Sequence, residues 1–207
     1  MHTRSLTHWA IFSAPLLILL AILWFGFSSE GDVAIYFKDH RLLHPALRSF
    51  MQVVTDWSNP LFYGVYAVML LTAWRSGDRD RVRFILILLV CQGVVAGLAV
   101  HFLKSFIGRP RPGQGLWFDP LTTRASQHSL PSGHTTEIIG WSLPLSLRID
   151  KIWLTVLMSL FIGLVGFSRV YLGWHHPSDV FFGWLLGSMG GLATTVIAST
   201  SIFTRKG

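Results

Sequence analysis

Six stretches of this sequence are apolar for long enough, or nearly long enough, to cross a lipid bilayer: about 9–28, 58–75, 83–104, 135–149, 152–170 and 177–202. A bilayer-crossing helix needs roughly 20 mostly apolar residues, so these runs predict an all-α, polytopic membrane protein with six transmembrane helices. Composition agrees. The 207 residues are 51% hydrophobic and only 13% charged, against about 25% charged in an average soluble domain. The fourth run is the least apolar, since Pro144 and several polar side chains interrupt it. The third and sixth runs carry small residues at short intervals, Gly93 and Gly97, then Gly183, Gly187, Gly190 and Gly191, which lets helices approach closely in lipid.

The formal net charge is +7. No basic helix or aromatic–basic sheet pattern accompanies it, so nucleic acid is not indicated; basic residues flanking spans and facing lipid or phosphate explain the charge better. The single cysteine, Cys91, lies within an apolar run, which excludes an internal disulfide and argues against a cysteine metal site. Arg4 followed by the apolar 9–27 stretch has the outline of a signal peptide, but Pro15 interrupts it and no small-x-small cleavage site closes it. It reads as an uncleaved first span. No internal repeat is present, and 1–207 is expected to be one domain.

The connections carry the orientation signal. With the N-terminus inside, Arg4, then Arg75, Arg79, Arg81 and Arg83, then Arg148 and Lys151, then Arg205 and Lys206 fall on the cytoplasmic side, as expected for short basic loops. Residues 29–50 mix Phe37, Leu42, Leu43, Leu47 and Phe50 with Lys38, Asp39, Arg41 and Arg48, the pattern of an amphipathic helix lying on the outer surface. Residues 105–134 form the longest polar stretch, rich in Pro and Gly, and are expected to be a structured loop.

Three short segments carry chemistry. They are Lys104-(six residues)-Arg111-Pro112, Pro131-Ser132-Gly133-His134, and Ser168-Arg169-(five residues)-His175-(three residues)-Asp179. On the six-span layout all three fall at the same, outer membrane face. Arg111 and Arg169 offer bidentate guanidinium donors and Lys104 a compact charge for a phosphate dianion. The glycine of Ser132-Gly133 permits a tight turn, whose backbone N–H groups open a helix and face an anion, with the Ser132 hydroxyl beside them. Two histidines suit a covalent route, one attacking phosphorus and one protonating the leaving oxygen. Asp179 lies four residues after His175, in the first turn of the sixth helix, where its carboxylate can accept from the imidazole and fix the tautomer. His175 is then the nucleophile and His134 the acid.

These segments resemble the motif set KxxxxxxRP–PSGH–SRxxxxxHxxxD of the type 2 phosphatidic acid phosphatase (PAP2) superfamily, with all eleven defining positions filled. The motifs span 104–179, and the six-span layout extends the likeness over nearly the whole chain. The resemblance implies a phosphohistidine on His175, phosphate held by Lys104, Arg111, Ser132, Gly133 and Arg169, and hydrolysis with no metal and no cofactor.

Other residues have plainer readings. His101 reads as structural, His176 as a neighbour of the nucleophile, and Arg109 as a solvated loop cation. His128 and Arg124 lie in the long loop, within reach of a headgroup; Trp117 and Phe118 read as interfacial anchors. Glu137, one turn into the fourth span, either serves the site, tuning His134 or contacting substrate, or is a first-turn carboxylate. The expectation is a membrane lipid phosphatase of the cytoplasmic membrane, with both termini inside and its site facing outward. Undecaprenyl pyrophosphate, phosphatidylglycerol phosphate, phosphatidic acid and lipid A phosphates are candidate substrates, and no obligate protein partner is indicated. The motifs leave open a phosphotransferase with a lipid acceptor and a non-catalytic phospholipid-binding protein.

Overall fold

The computed structural model describes residues 3–115 and 125–200. All regular structure among them is helical. The order is α1 Thr3–Gly26, α2 Glu30–Leu43, α3 Pro45–Ser76, α4 Arg79–Gln92, a π-helical stretch Gly93–Ala99, α5 Val100–Ile107, a 3₁₀ turn Ala125–Gln127, α6 Gly133–Ile149, α7 Ile152–Tyr171 and α8 Pro177–Ser199. Arg205, Lys206, Arg124, Trp117 and Phe118 lie outside the described residues.

Four helices are long and apolar enough to cross a membrane: Arg4–Gly26, Arg79–Ile107, Ile152–Tyr171 and Pro177–Ser199. The second runs unbroken through α4, the π stretch and α5. Their outward side chains are apolar, among them Ile22, Phe25, Val90, Leu98, Leu157 and Leu160, all exposed. That surface suits hydrocarbon rather than water. The other two apolar runs fall within α3 and α6. At 17 residues α6 is shorter than any of these four. Its length is about 25 Å, and its serines, threonines and Pro144 are buried inside the protein.

Residues 29–50 form two elements rather than one helix. α2 ends at His44, and α3 begins at Pro45. A residue before proline is pushed out of the α region, and His44 takes φ −127° and ψ 66°. Pro45 then opens α3, where its missing N–H costs no helical bond. α2 is fastened across one end of the bundle. Ser29 caps its N-terminus by accepting from Asp32 N; Arg41 donates to the Tyr171 carbonyl and His40 Nδ1 lies 3.1 Å from Tyr171 Oη.

The close packing centres on α6 and α8. Cβ atoms added at Gly183 and Gly187 would lie 2.7 Å from Ser132 O and 2.6 Å from Thr136 O, so these glycines set how near the helices come. Gly191 faces Leu143 of α6, and Gly190 faces Val95 of the π stretch. Gly93 and Gly97, expected to do the same for the third span, have nothing within 4 Å of an added Cβ. α1 packs on α7 through Gly163 and Gly166, which meet Pro15 and Leu16. Phe12, Leu16, Leu88, Ile138, Ile139, Leu143 and Val165 are fully buried in the shared core.

Candidate active site

Three chain reversals bring the motif segments to one end of the bundle. α5 stops at Gly108, which adopts φ 65° and returns its N–H to the Lys104 carbonyl. Arg109–Arg111 therefore leave the helix and turn back over the bundle. α6 begins at the Pro131–His134 turn, with Ser132 as N-cap. α7 and α8 are joined by a tight turn in which Gly173 sits at φ 72°, a backbone that favours glycine. Gly133 itself is ordinary first-turn helix, and an added Cβ there would meet only Val100, at 3.5 Å. The Ser-Gly turn thus does not need glycine for its dihedrals; what Gly133 leaves is uncovered backbone at the start of α6.

The Pro131–His134 turn is tied directly to α8, since Ser132 N donates to the Asp179 carbonyl at 2.9 Å. Ser132 is fully buried, its Oγ 2.9 Å from Thr135 Oγ1 and 3.4 Å from Thr135 N. His134 follows, half-buried, in the first turn of α6.

Lys104, Arg111 and Arg169 surround this point. Lys104 Nζ donates to the His128 carbonyl at 3.1 Å, Arg111 Nη2 to Ser126 O at 2.8 Å, and Arg169 Nη1 to Thr55 Oγ1 at 2.7 Å. The Arg169 guanidinium also lies over the Trp174 ring, 4.3 Å from its centroid. All three partners are neutral oxygens. Among the described residues none of the three cations is in an ion pair, and the Nε–H groups of Arg111 and Arg169 are buried with no hydrogen-bond partner. Lys104 feels the charge of both arginines. A cluster of partly desolvated cations with orphaned donors can hold an anion. A cavity of about 480 Å³ opens beside Lys104, lined by Ala96, Gly97, Val100, His101, Ala125 and Ser126.

His175 is buried, with Nδ1 3.6 Å from Asp179 Oδ2. The carboxylate stands beside the imidazole, at a separation longer than a hydrogen bond. Burial, reinforced by Arg169 and Lys104 and opposed by Asp179, pulls the imidazole down to about 3. It is therefore neutral at physiological pH, the state a nucleophile requires. Burial likewise lowers Arg111 and His176 from their ordinary values.

Asp179 is completely buried and fully engaged. Oδ2 accepts from His176 N at 2.7 Å, and Oδ1 accepts from Arg109 Nη1. Arg109 departs most from the sequence expectation. It is 1% exposed, not solvated, and it also donates to Ser178 Oγ and Glu30 Oε2, both at 2.7 Å. Its partners lie 70 and 79 positions away, so no local pattern announces them.

His128 is buried against Lys104, with Nδ1 2.6 Å from the Lys104 carbonyl. It fastens the loop to α5 and is not presented to a headgroup. His101 is exposed. The Glu137 carboxylate accepts from Asn59 Nδ2 at 2.9 Å, from Tyr63 Oη and, at 3.4 Å, from Trp141 Nε1. It joins α6 to α3, which neither sequence reading of it had anticipated. Among the described residues no three His, Cys, Asp or Glu side chains gather to hold a metal ion.

Comparison with known proteins finds relatives over most of the chain's length. The chain is 30% identical over 168 residues to the undecaprenyl-diphosphatase BcrC of Bacillus subtilis, covering 79% of this chain and 78% of that protein. It is 35% identical to an undecaprenyl-diphosphatase of Sulfolobus acidocaldarius, over 58% of each chain. It is 33% identical to a lipid A 1-phosphatase of Rhizobium etli, over 50% of this chain and 46% of that one. No solved structure matches. The family model of the PAP2 superfamily matches residues 81–203, a stretch that contains all three motif segments, and the chain belongs to that superfamily.

Proposed function

We propose that this protein hydrolyses the terminal phosphate of a membrane lipid, either a monoester or a pyrophosphate, through a phosphohistidine on His175. That it is a lipid phosphatase rests on its family and on relatives named for that activity. The observation that carries the mechanism is the set of three cations, Lys104, Arg111 and Arg169, gathered without a counter-ion around a buried neutral histidine. With Nδ1 of His175 turned to Asp179, Nε2 is the attacking atom. It forms the P–N bond as the bond to the leaving oxygen breaks, and His134 gives that oxygen its proton. Water then attacks phosphorus, His134 takes its proton, the P–N bond breaks, and inorganic phosphate leaves. The three cations, Ser132 and the backbone N–H of Gly133 stabilise charge on the equatorial oxygens throughout. No step requires a metal.

We further place six spans, with α3 and α6 crossing beside the four long apolar helices and α2 lying at the interface. Both termini are then cytoplasmic and the site faces outward, as the basic loops at the opposite end of the bundle favour. A lipid tail remains in the bilayer while its headgroup enters the cation cluster. An isoprenoid pyrophosphate is the first substrate to try, since two relatives are named for it.

The deciding assay is phosphate release by purified protein across isoprenoid pyrophosphates, phosphatidylglycerol phosphate, phosphatidic acid and lipid A. His175→Ala should abolish release while the protein stays folded in detergent; full activity in that variant overturns the mechanism. Acid-stable transfer of label to a second lipid, with little free phosphate, would identify a phosphotransferase instead. A cysteine introduced at Gln114 should label from outside in intact cells, and labelling only after permeabilisation would reverse the orientation.

A further inference from the structure

Arg109 is nearly inaccessible and stands between two carboxylates from distant parts of the chain. One terminal nitrogen reaches Asp179 Oδ1 and Ser178 Oγ; the other reaches Glu30 Oε2 at 2.7 Å. Glu30 in turn accepts from Ser178 N at 2.7 Å through its other oxygen. The first turn of α8 is thus held on two sides, by the loop that follows α5 and by the first turn of α2. Taking Asp179 and Arg109, and most of Glu30, out of water is costly, and a buried ion pair returns little net stability. Such an arrangement is better explained by what it positions.

Asp179 shows what that is. Oδ1 is occupied by Arg109, and Oδ2 accepts from His176 N at 2.7 Å, leaving the rest of Oδ2 directed at His175 Nδ1, 3.6 Å away. Rotation of the carboxylate about its Cβ–Cγ bond would break both bonds. We propose that Arg109 is a positioning residue for the nucleophile, locking the Asp179 carboxylate toward His175, and that Glu30 locks Arg109 in turn. This rests on the reading of His175 as the nucleophile. Arg109 does not touch the phosphate in this scheme; it acts through Asp179 alone. The guanidinium fork reaches both carboxylates at once; a lysine ammonium keeps the charge beside Asp179 without the fork, and so replaces it in part.

The test uses full-length protein in detergent micelles, with farnesyl pyrophosphate and dioleoyl phosphatidic acid as probes. Partners that orient an essential group typically matter by about 10- to 100-fold. Arg109→Met should lower kcat by about that factor, with KM changed by less than about 3-fold. Arg109→Lys, which keeps a cation beside Asp179, should recover at least about 5-fold of the loss. Glu30→Gln should lower kcat about 3- to 10-fold, again at native KM. Native kcat in Arg109→Met overturns the inference. So does a raised KM with kcat retained, which would put Arg109 on the substrate, or a Lys variant no better than Met at equal thermal stability. If Arg109→Met does not fold, Glu30→Gln decides alone: reduced kcat at native KM supports the inference and native kcat overturns it. His175→Ala in the same preparations separates the two levels. Activity there removes the phosphohistidine reading and this inference with it; an inactive His175→Ala beside a fully active Arg109→Met removes this inference only.

Discussion

The Nδ1 atom of His175 faces Oδ2 of Asp179 across 3.6 Å, and the same oxygen accepts from the backbone N–H of His176. One carboxylate therefore caps α8 and stands beside the histidine that precedes it. The two placements are linked, because the helix start fixes the carboxylate that faces the ring.

Replacing Asp179 by Asn keeps the shape of this contact but can present an amide N–H to the imidazole and favour the wrong tautomer. The expected loss in kcat is about 10²- to 10⁴-fold, as for other histidines oriented by a buried carboxylate. Initial rates of phosphate release, alongside thermal unfolding in detergent, check this. A loss confined to KM would show that Asp179 serves binding rather than orientation.

His134 should matter in proportion to how poor the leaving group is. Against a lipid alkoxide, His134→Ala is expected to cost about 10²- to 10⁴-fold in kcat, the usual worth of a general acid. Against an aryl phosphate with an acidic phenol, which leaves without a proton, the loss should shrink to a small fraction of that. Equal losses on both substrates would remove His134 from the acid role.

The depressed His175 sets a direction for acid stability. A histidine that is neutral and buried when folded, at about 3, titrates near 6.5 when unfolded, so the unfolded chain binds more protons between those values. Stability from this group is complete above about pH 6.5 and is lost progressively as pH falls toward about 3. The melting temperature of the unliganded protein should decline across that window. His175→Gln should flatten the decline, and an unchanged slope would show that other groups dominate it. His175 stays neutral over most of the same window, so an acid limb of kcat near pH 6 should belong to another group.

Gly183 and Gly187 couple helix packing to the site. A methyl group at either would press on a backbone carbonyl of α6, Ser132 O or Thr136 O, and neither can yield without moving the helix that carries His134. Gly183→Ala should cost about 1–3 kcal/mol of stability and lower kcat, because Ser132 and Asp179 are bonded to each other there. Gly97→Ala, with open space around it, should be near neutral in both. Melting curves and turnover of the two variants make the comparison.

Much of this architecture is legible in one dimension. Apolar runs locate the helices because a helix in hydrocarbon must satisfy its own backbone and present apolar side chains. Motif spacing anticipates that Asp179 comes beside His175, because four residues at the start of a helix span one turn, and the two stand 3.6 Å apart. Local signals also explain the errors. Residues 29–50 alternate apolar and charged side chains like a single surface helix, yet Pro45 imposes a break and assigns 45–50 to α3. Gly93 and Gly97 resemble a packing face, but the helix exposes them to open space. His128 resembles a loop histidine and is buried on Lys104.

The sequence by itself determined the class of protein, the helices and the chemical inventory of the site, because each depends on composition or on spacings of a few residues. Arg109 depended on the tertiary structure. A cation between a glycine and a proline in a polar loop reads as solvated, and only the folded chain brings Glu30, 79 positions before it, and Asp179, 70 positions after it, to opposite sides of one guanidinium. The same holds for the absence of an ion-pair partner at Lys104, Arg111 and Arg169 among the described residues. Charge compensation is set by which side chains meet in space, and the order of residues along the chain does not specify that.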